Sequence, residues 1–336
     1  MQTYPQINYI NCINSNGEHY RMYYSAWGNP DTATKHMLCI HGLNRNSRDW
    51  DYVGAYAASL GYYVVCPDIV GRGLSANLIN YMGYNIPAYI ADTLNLIHTL
   101  GLKNIDFIGT SMGGIIGMGI AALPNNPFRS LVLNDIGGEI ELAGLSRIMG
   151  YSNEQPYFDT LSDAKVSLIN TSKEFGDLPD HIWQAMAQNS YQKNATGKYE
   201  AKRDPNIAKT LALLFQINDV FKPDINITDL NNLTTNINLS MNYGTTNFKI
   251  NASVNPNMIA QNIMMWPVWN QISNLPTLII RGERSDLLSV ATVNKMLENR
   301  KDVTSVTIAN AGHAPFLYSV DHMQILTNFY NNLHSA

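Results

Sequence analysis

Residues 104–123, NIDFIGTSMGGIIGMGIAAL, decide the fold of this chain. They begin with IDFI, the short apolar run of a buried strand, and end in an apolar helix that contains glycines. Between the two comes Gly109-Thr110-Ser111-Met112-Gly113, which fits the pattern G-x-S-x-G. In this pattern the serine occupies a strained strand-to-helix turn, and small residues flank it because backbone crowds the turn from both sides. We therefore expect Ser111 at a helix N-terminus, where free N–H groups can face a developing anion.

The segments around this stretch alternate between strand patterns and helix patterns. Strands are expected at 6–14, 18–27, 36–40, 62–69, 129–135, 276–283 and 303–309, and helices at 47–60, 86–100, 290–298 and 316–333. Strands that alternate with helices form a mostly parallel sheet that helices cover on both faces. The fold class is therefore α/β, with a mostly parallel, doubly wound sheet built from two blocks of sequence, 1–137 and 275–336.

Residues 138–274 interrupt this alternation, and we predict that they form an inserted cap or lid with helices. Apolar and polar residues alternate on both sides of Gly244, which predicts a β-hairpin near 236–254. An Asn- and Thr-rich loop with accidental alternation is the alternative. An exposed hairpin edge can pair with a second copy, so a homodimer through the cap is a further expectation.

Composition excludes several classes of protein. The net charge is -4 over 336 residues, so no basic field suggests a nucleic-acid partner. The sequence has no run of 18 apolar residues, so it predicts no membrane span. The N-terminus lacks the basic and apolar regions of a secretory signal. The odd set Cys12, Cys39 and Cys66 lies in apolar runs, as expected for free thiols in a reducing compartment. A cytoplasmic location is the expectation.

Polar residues follow the strands at the sheet edge where functional groups gather in parallel sheets. Ser111 needs an adjacent base, because a serine hydroxyl is a poor nucleophile at its own pKa. His313, in Gly312-His313, can take the proton and return it to the leaving group. Asp286, in Ser285-Asp286, is expected to hold the imidazole tautomer. Asp135 is the rival acid, because it too ends a strand.

These segments, together with the turn His41-Gly42-Leu43, occur in the order and spacing of the α/β-hydrolase superfamily, which the chain resembles in its capped serine-hydrolase branch. The resemblance covers both sheet blocks. It implies an oxyanion hole formed by the backbone N–H groups of Leu43 and Met112. It also implies cleavage of a small carboxylic ester through an acyl-enzyme, with a small-molecule substrate and no cofactor. Relatives with a cap also cleave thioesters, lactones or carbon–carbon bonds, and a slow-turnover ligand receptor on the same fold is a further alternative.

Four residues are weaker candidates for binding the substrate. Asn44 and Arg45 follow the oxyanion turn, and an arginine there could bind a substrate carboxylate or phosphate or simply form a salt bridge to the cap. Trp266 and Trp269 stand where the cap returns to the sheet and could line the pocket or only pack. No histidine has a partner at metal-ligand spacing, so no metal is expected.

Overall fold

The protein is seen here in a computed structural model that describes residues 4–152, 154–209, 235–243, 246–254 and 262–333, with the backbone alone in 235–243 and 246–254. Its strands are β1 (Gln6–Ile13), β2 (His19–Trp27), β3 (Lys35–Ile40), β4 (Tyr62–Pro67), β5 (Ile105–Thr110), β6 (Phe128–Asn134), β7 (Glu139–Ile140), β8 (Tyr191–Lys193), β9 (Tyr199–Ala201), β10 (Thr235–Tyr243), β11 (Thr246–Val254), β12 (Ile263–Met264), β13 (Thr277–Gly282) and β14 (Val303–Ile308). Its helices are α1 (Asp51–Ser59), α2 (Ile86–Thr99), α3 (Met112–Ala121), α4 (Leu142–Ser152), α5 (Leu161–Ser172), α6 (Asp180–Ser190), α7 (Trp266–Trp269), α8 (Val290–Leu297) and α9 (Val320–Asn332).

Eight strands form one sheet in the order β1-β2-β4-β3-β5-β6-β13-β14. The pairs from β4 to β14 are parallel, whereas β2 runs antiparallel to both β1 and β4. Every residue of β4 and of β13 is buried, as expected for strands that are covered on both faces. The predicted fold class, a mostly parallel α/β sheet, is confirmed.

Two hydrophobic clusters cover the two faces of the sheet. Neighbouring residues of β5 belong to opposite clusters: Phe107 to the one that includes side chains of α2, α3 and α8, and Ile108 to the one that includes side chains of α1 and α9. This alternation follows from the period of two in a strand. The carboxyl ends of β3, β5, β6 and β13 lie side by side, so the loops that follow these strands meet at one edge.

The described residues between β6 and β13 include the helices α4, α5, α6 and α7. A third hydrophobic cluster joins α5 and α6, through Leu168, Trp183 and Met186, to Phe316 from the segment before α9. The hairpin expected near 236–254 corresponds to β10 and β11, which pair antiparallel from Thr235–Val254 to Tyr243–Thr246. The division into a core at 1–137 and 275–336 and a cap at 138–274 stays a prediction, as does a homodimer through the cap.

Candidate active site

Ser111 lies at the sharp turn between β5 and α3. Its φ of 51° and ψ of -113° are strained for a residue with a side chain. A Cβ at Gly109 would come within 2.4 Å of the Gly113 backbone, and a Cβ at Gly113 within 2.1 Å of the Ile40 carbonyl oxygen. Glycine is therefore required at both ends of the G-x-S-x-G pattern, because strand and helix backbones meet with no room for a side chain.

A continuous line of hydrogen bonds joins Ser111, His313 and Asp135. The Nε2 atom of His313 lies 2.9 Å from Ser111 Oγ, and its Nδ1 atom lies 2.8 Å from Asp135 Oδ2. A carboxylate only accepts, so we assign the proton to Nδ1, which leaves Nε2 free to accept the serine hydroxyl. Asp135 is fully buried and His313 is 7% exposed. Such an arrangement can activate a serine as a nucleophile.

The carboxylate of Asp135 is held by two further donors. The backbone N–H of Gly282 donates to Oδ1 at 2.7 Å, and the hydroxyl of Ser285 donates to Oδ2 at 2.5 Å. Both donors lie at the end of β13, the strand beside β6. Three hydrogen bonds therefore fix the position of this buried acid, including the one from His313.

Asp286 does not occupy the position that the sequence predicted. Its carboxylate accepts two hydrogen bonds from Arg147 of α4, at 2.6 Å from Nε and 2.8 Å from Nη2. The hydrogen bond from Arg147 lowers the pKa of Asp286 below its ordinary value. The expectation that Asp286 contacts His313 is corrected by this geometry: in the loop after β13, Ser285 turns toward the site and Asp286 turns toward α4.

The turn that carries the expected oxyanion donors faces Ser111. A Cβ at Gly42 would lie 3.9 Å from Ser111 Cβ. Met112 begins α3, so its N–H has no acceptor in a preceding helical turn. The roles of the Leu43 and Met112 N–H groups as oxyanion donors stay predictions.

Two buried side chains hold this turn. His41 Nδ1 lies 2.7 Å from the Gly42 carbonyl oxygen, and the Ile69 N–H donates to His41 Nε2 at 3.1 Å. Burial lowers the pKa of His41 to about 3, so its ring is neutral near pH 7 and its role is structural.

Arg72, which sequence reasoning did not place in the site, is the second of these side chains and is 1% exposed. Its Nε donates to the Leu43 carbonyl at 3.0 Å, and its Nη2 lies 3.6 Å from Met112 Sδ. One guanidinium therefore contacts both residues of the expected oxyanion hole. The only signal in the sequence was the position of Arg72 in the loop that follows β4.

A cavity of about 120 Å³ opens beside Ser111 and His313. Asn44 and Arg45 both line it, as do Lys202 and Arg203, which sequence reasoning missed. Arg45 is neutralised by Asp49, through hydrogen bonds of 2.8 Å from Nε and 2.5 Å from Nη2. Arg45 therefore forms a salt bridge to Asp49 in its own segment, whereas the alternative placed its partner in the cap.

The two tryptophans lie away from this cavity. Trp266 packs over Gly138, and its Nε1 donates to Glu139 at 3.3 Å. Trp269 is buried, and the guanidinium of Arg300 lies over its ring at 4.8 Å. The expectation that they line the pocket is thus replaced by a packing role, because α7 contacts α3 and its tryptophans contact Gly138, Glu139 and Arg300.

The described residues also bear on metal binding and on membrane crossing. Within that part of the chain, no group of three His, Cys, Asp or Glu side chains is arranged to hold a metal ion. None of the helices described is both long enough and apolar enough to cross a membrane.

Comparison with known proteins places the chain in a family. The family model of the alpha/beta hydrolase fold matches residues 35–320, and the chain belongs to this family. It is 32% identical to the 3-hydroxybutyrate-oligomer hydrolase of Cupriavidus necator over 330 residues, which cover 98% of this chain and 99% of that protein. The family model and this relative together show that the chain is a hydrolase of the alpha/beta fold, as its sequence predicted.

Two solved structures are similar over nearly the whole chain. A protein of Rickettsia typhi is 28% identical with a TM-score of 0.77, covering 97% of this chain and 99% of that one. An alpha/beta hydrolase of Novosphingobium aromaticivorans is 27% identical with a TM-score of 0.73 and the same coverage. The likeness therefore extends beyond the sheet to the segment between β6 and β13.

Proposed function

We propose that the protein is a serine hydrolase that cleaves the ester bonds of short hydroxyacyl oligomers through an acyl-enzyme. Ser111 is the nucleophile, His313 the general base and acid, and Asp135 the carboxylate that orients His313. The observation that carries the proposal is the hydrogen-bonded line from Ser111 Oγ through His313 to Asp135, with distances of 2.9 and 2.8 Å. Serine, base and orienting acid are thereby within reach of one another before substrate arrives.

The reaction has two halves. Ser111 Oγ attacks the ester carbonyl carbon while His313 Nε2 takes its proton, and the carbonyl oxygen gains the negative charge. The N–H groups of Leu43 and Met112 stabilise that oxyanion. The intermediate collapses, the C–O bond of the ester breaks, and the leaving alkoxide takes the proton from His313. Water then attacks the acyl-serine with the same proton transfers and releases the acid.

The substrate class rests on the Cupriavidus necator relative and on the character of the cavity. That relative, named for 3-hydroxybutyrate oligomers, is similar over nearly its whole length. Polar side chains line the cavity among apolar ones such as Leu168 and Phe175; they include Asn44, Asn46, Thr110, Ser167, Thr171 and Tyr191. The hydroxyl and amide groups of this wall can donate hydrogen bonds to ester oxygens. They therefore suit a substrate with an ester group in every unit better than a long hydrocarbon chain.

The test is hydrolysis of the linear dimer and trimer of 3-hydroxybutyrate, followed by separation of the products. We expect turnover by the native protein and almost none by Ser111→Ala. A fluorophosphonate should label Ser111 only. Ser305→Ala, which removes an exposed serine of β14, is the matched control and should retain both activity and labelling. Absence of turnover, or labelling at another serine, contradicts the proposal.

A further inference from the structure

Arg203 places a positive charge in the cavity wall, close to the charge of Arg72, and the acceptors of its guanidinium hydrogen bonds are neutral. Its Nη1 donates to Asn44 Oδ1 at 2.8 Å and to the Ser152 carbonyl at 2.9 Å, and its Nη2 donates to the Glu154 carbonyl at 2.7 Å. In the part of the chain that the structure describes, no carboxylate forms an ion pair with it. Burial lowers the pKa of Arg203 below its ordinary value, as expected for a desolvated cation.

Two other arginines near the site are paired with carboxylates, whereas the buried Arg72 donates only to neutral groups among the described residues. Arg45 pairs with Asp49, and Arg147 pairs with Asp286. Lys202, next to Arg203, also lines this cavity, but its Nζ donates to the Gln188 carbonyl at 3.4 Å, and the charge of Asp68 opposes the larger lowering of its pKa by burial. The acid among the cavity-lining residues is Glu154, which is exposed. Arg203 is half-buried, so its charge has lost part of its water, and no carboxylate of the described residues replaces that water, which suits the cavity to a negatively charged ligand.

Asn44 connects this cation to the reacting centre. It follows Leu43 of the oxyanion turn directly, and its amide is fixed between Arg203 and the hydroxyl of Ser152, with 2.6 Å from Nδ2 to Ser152 Oγ. An anion held by Arg203 is therefore placed at a set position relative to the turn that faces Ser111. A planar guanidinium is well suited to carboxylate recognition.

We propose that Arg203 binds the free carboxylate of the substrate, and that the enzyme selects esters of hydroxy acids that carry this group. In a linear hydroxyacyl oligomer the free carboxylate lies on the alcohol side of every ester bond. The subsite consequently recognises the leaving group. This inference rests on the proposed function for its substrate, but its test includes a binding measurement that needs no turnover.

The kinetic test compares two substrates that differ only in charge, 3-(butyryloxy)butanoate and 3-(butyryloxy)butanamide. We expect the native enzyme to prefer the acid, and the ratio of kcat/KM values to fall by about 10- to 100-fold in Arg203→Met, the range of a hydrogen bond to a charged group. Arg203→Lys keeps the charge and should retain much of the preference. Arg48→Met, which removes an arginine paired with Asp51 outside the cavity, should leave the ratio unchanged. An unchanged ratio in folded Arg203→Met overturns the proposal.

The binding test uses Ser111→Ala protein with native Arg203 and measures 3-hydroxybutyrate and 3-hydroxybutanamide by calorimetry. Tighter binding of the acid supports the subsite, and Arg203→Met in the same background should remove that difference. Equal affinity of the Ser111→Ala protein for acid and amide overturns the proposal. This outcome does not depend on whether Arg203→Met folds. If the acid binds selectively but neither ester is hydrolysed, the subsite stands and the proposed function fails.

Discussion

His313 Nδ1 donates a 2.8 Å hydrogen bond to Asp135 Oδ2, although the two residues are 178 positions apart in the chain. Asp135 ends β6, and Asp286 follows the neighbouring strand β13. Both acids therefore stand at the same edge of the sheet, close to one histidine. The direction of each side chain separates them: Asp135 is buried under His313, and Asp286 pairs with Arg147.

Replacing Asp135 should remove most of the activity. Asp135→Asn keeps the shape but can donate to His313 Nδ1 and so favours the wrong tautomer, and we expect kcat to fall about 10³- to 10⁴-fold. Asp286→Asn is the matched control, and its effect on kcat should be small by comparison. Steady-state hydrolysis of a nitrophenyl ester measures both. A larger loss in Asp286→Asn would return Asp286 to the role that the sequence suggested.

Breaking the ion pair between Arg147 and Asp286 should have little effect on stability. The side chains are 30% and 37% exposed, so water screens the charges, and we expect a coupling of about 1 kcal/mol or less. A double-mutant cycle with Arg147→Met and Asp286→Asn, followed by urea unfolding, measures it. A coupling several times larger would show that the pair fastens α4 to the sheet.

Arg72 should act on catalysis by positioning the oxyanion turn. Arg72→Met removes the hydrogen bond to the Leu43 carbonyl, and we expect kcat to fall by about 10²-fold, as when one oxyanion donor is lost. The affinity of this variant for a trifluoromethyl ketone, whose adduct resembles the tetrahedral intermediate, should fall together with kcat. Arg48→Met is the control for loss of an arginine. A fall in kcat with unchanged ketone affinity would mean that Arg72 does not support the oxyanion site.

Alanine at Gly113 should disrupt the turn that carries Ser111. Its Cβ would lie 2.1 Å from the Ile40 carbonyl oxygen, which is backbone and cannot move aside easily, so we expect a loss of about 3 kcal/mol or more in the free energy of unfolding. Gly150→Ala in α4, where no atom lies within 4 Å of the new Cβ, should instead stabilise by about 0.5–1 kcal/mol. Urea unfolding of both variants checks the contrast.

His41 should make the protein less stable in acid. Burial lowers its folded-state pKa to about 3, below the ordinary value of 6.5, so the unfolded chain binds a proton that the folded chain does not. Stability is therefore fully present above about pH 6.5 and falls by about 1.4 kcal/mol per pH unit between pH 6 and 3 from this group alone. The pH slope of unfolding in His41→Gln should be shallower by that amount. Equal slopes in both proteins would contradict a neutral buried His41.

The sequence alone predicted the mostly parallel sheet. It also predicted two of the three residues in the hydrogen-bonded line, Ser111 and His313. Alternating strand and helix patterns predict a parallel sheet, because the periodicity of apolar residues along each strand indicates whether it is buried on one face of the sheet or on both. Ser111 was predictable because the turn around it tolerates only glycine at its ends. His313 was predictable because it follows the last strand at the edge where loops converge.

The choice of acid, the compensation of Arg45 and the roles of Arg72 and Arg203 required the tertiary structure. Each depends on which way a side chain points, and all except Arg45, whose partner Asp49 is four residues on, depend on a partner far away in the chain, such as Arg147 for Asp286 or Asn44 for Arg203. A loop after a strand has no fixed period, so sequence spacing places Ser285 and Asp286 at the site without saying which one faces it. Packing of α4 against the loop after β13 settles that choice, because Arg147 offers Asp286 a charged partner and Ser285 is left to bind Asp135.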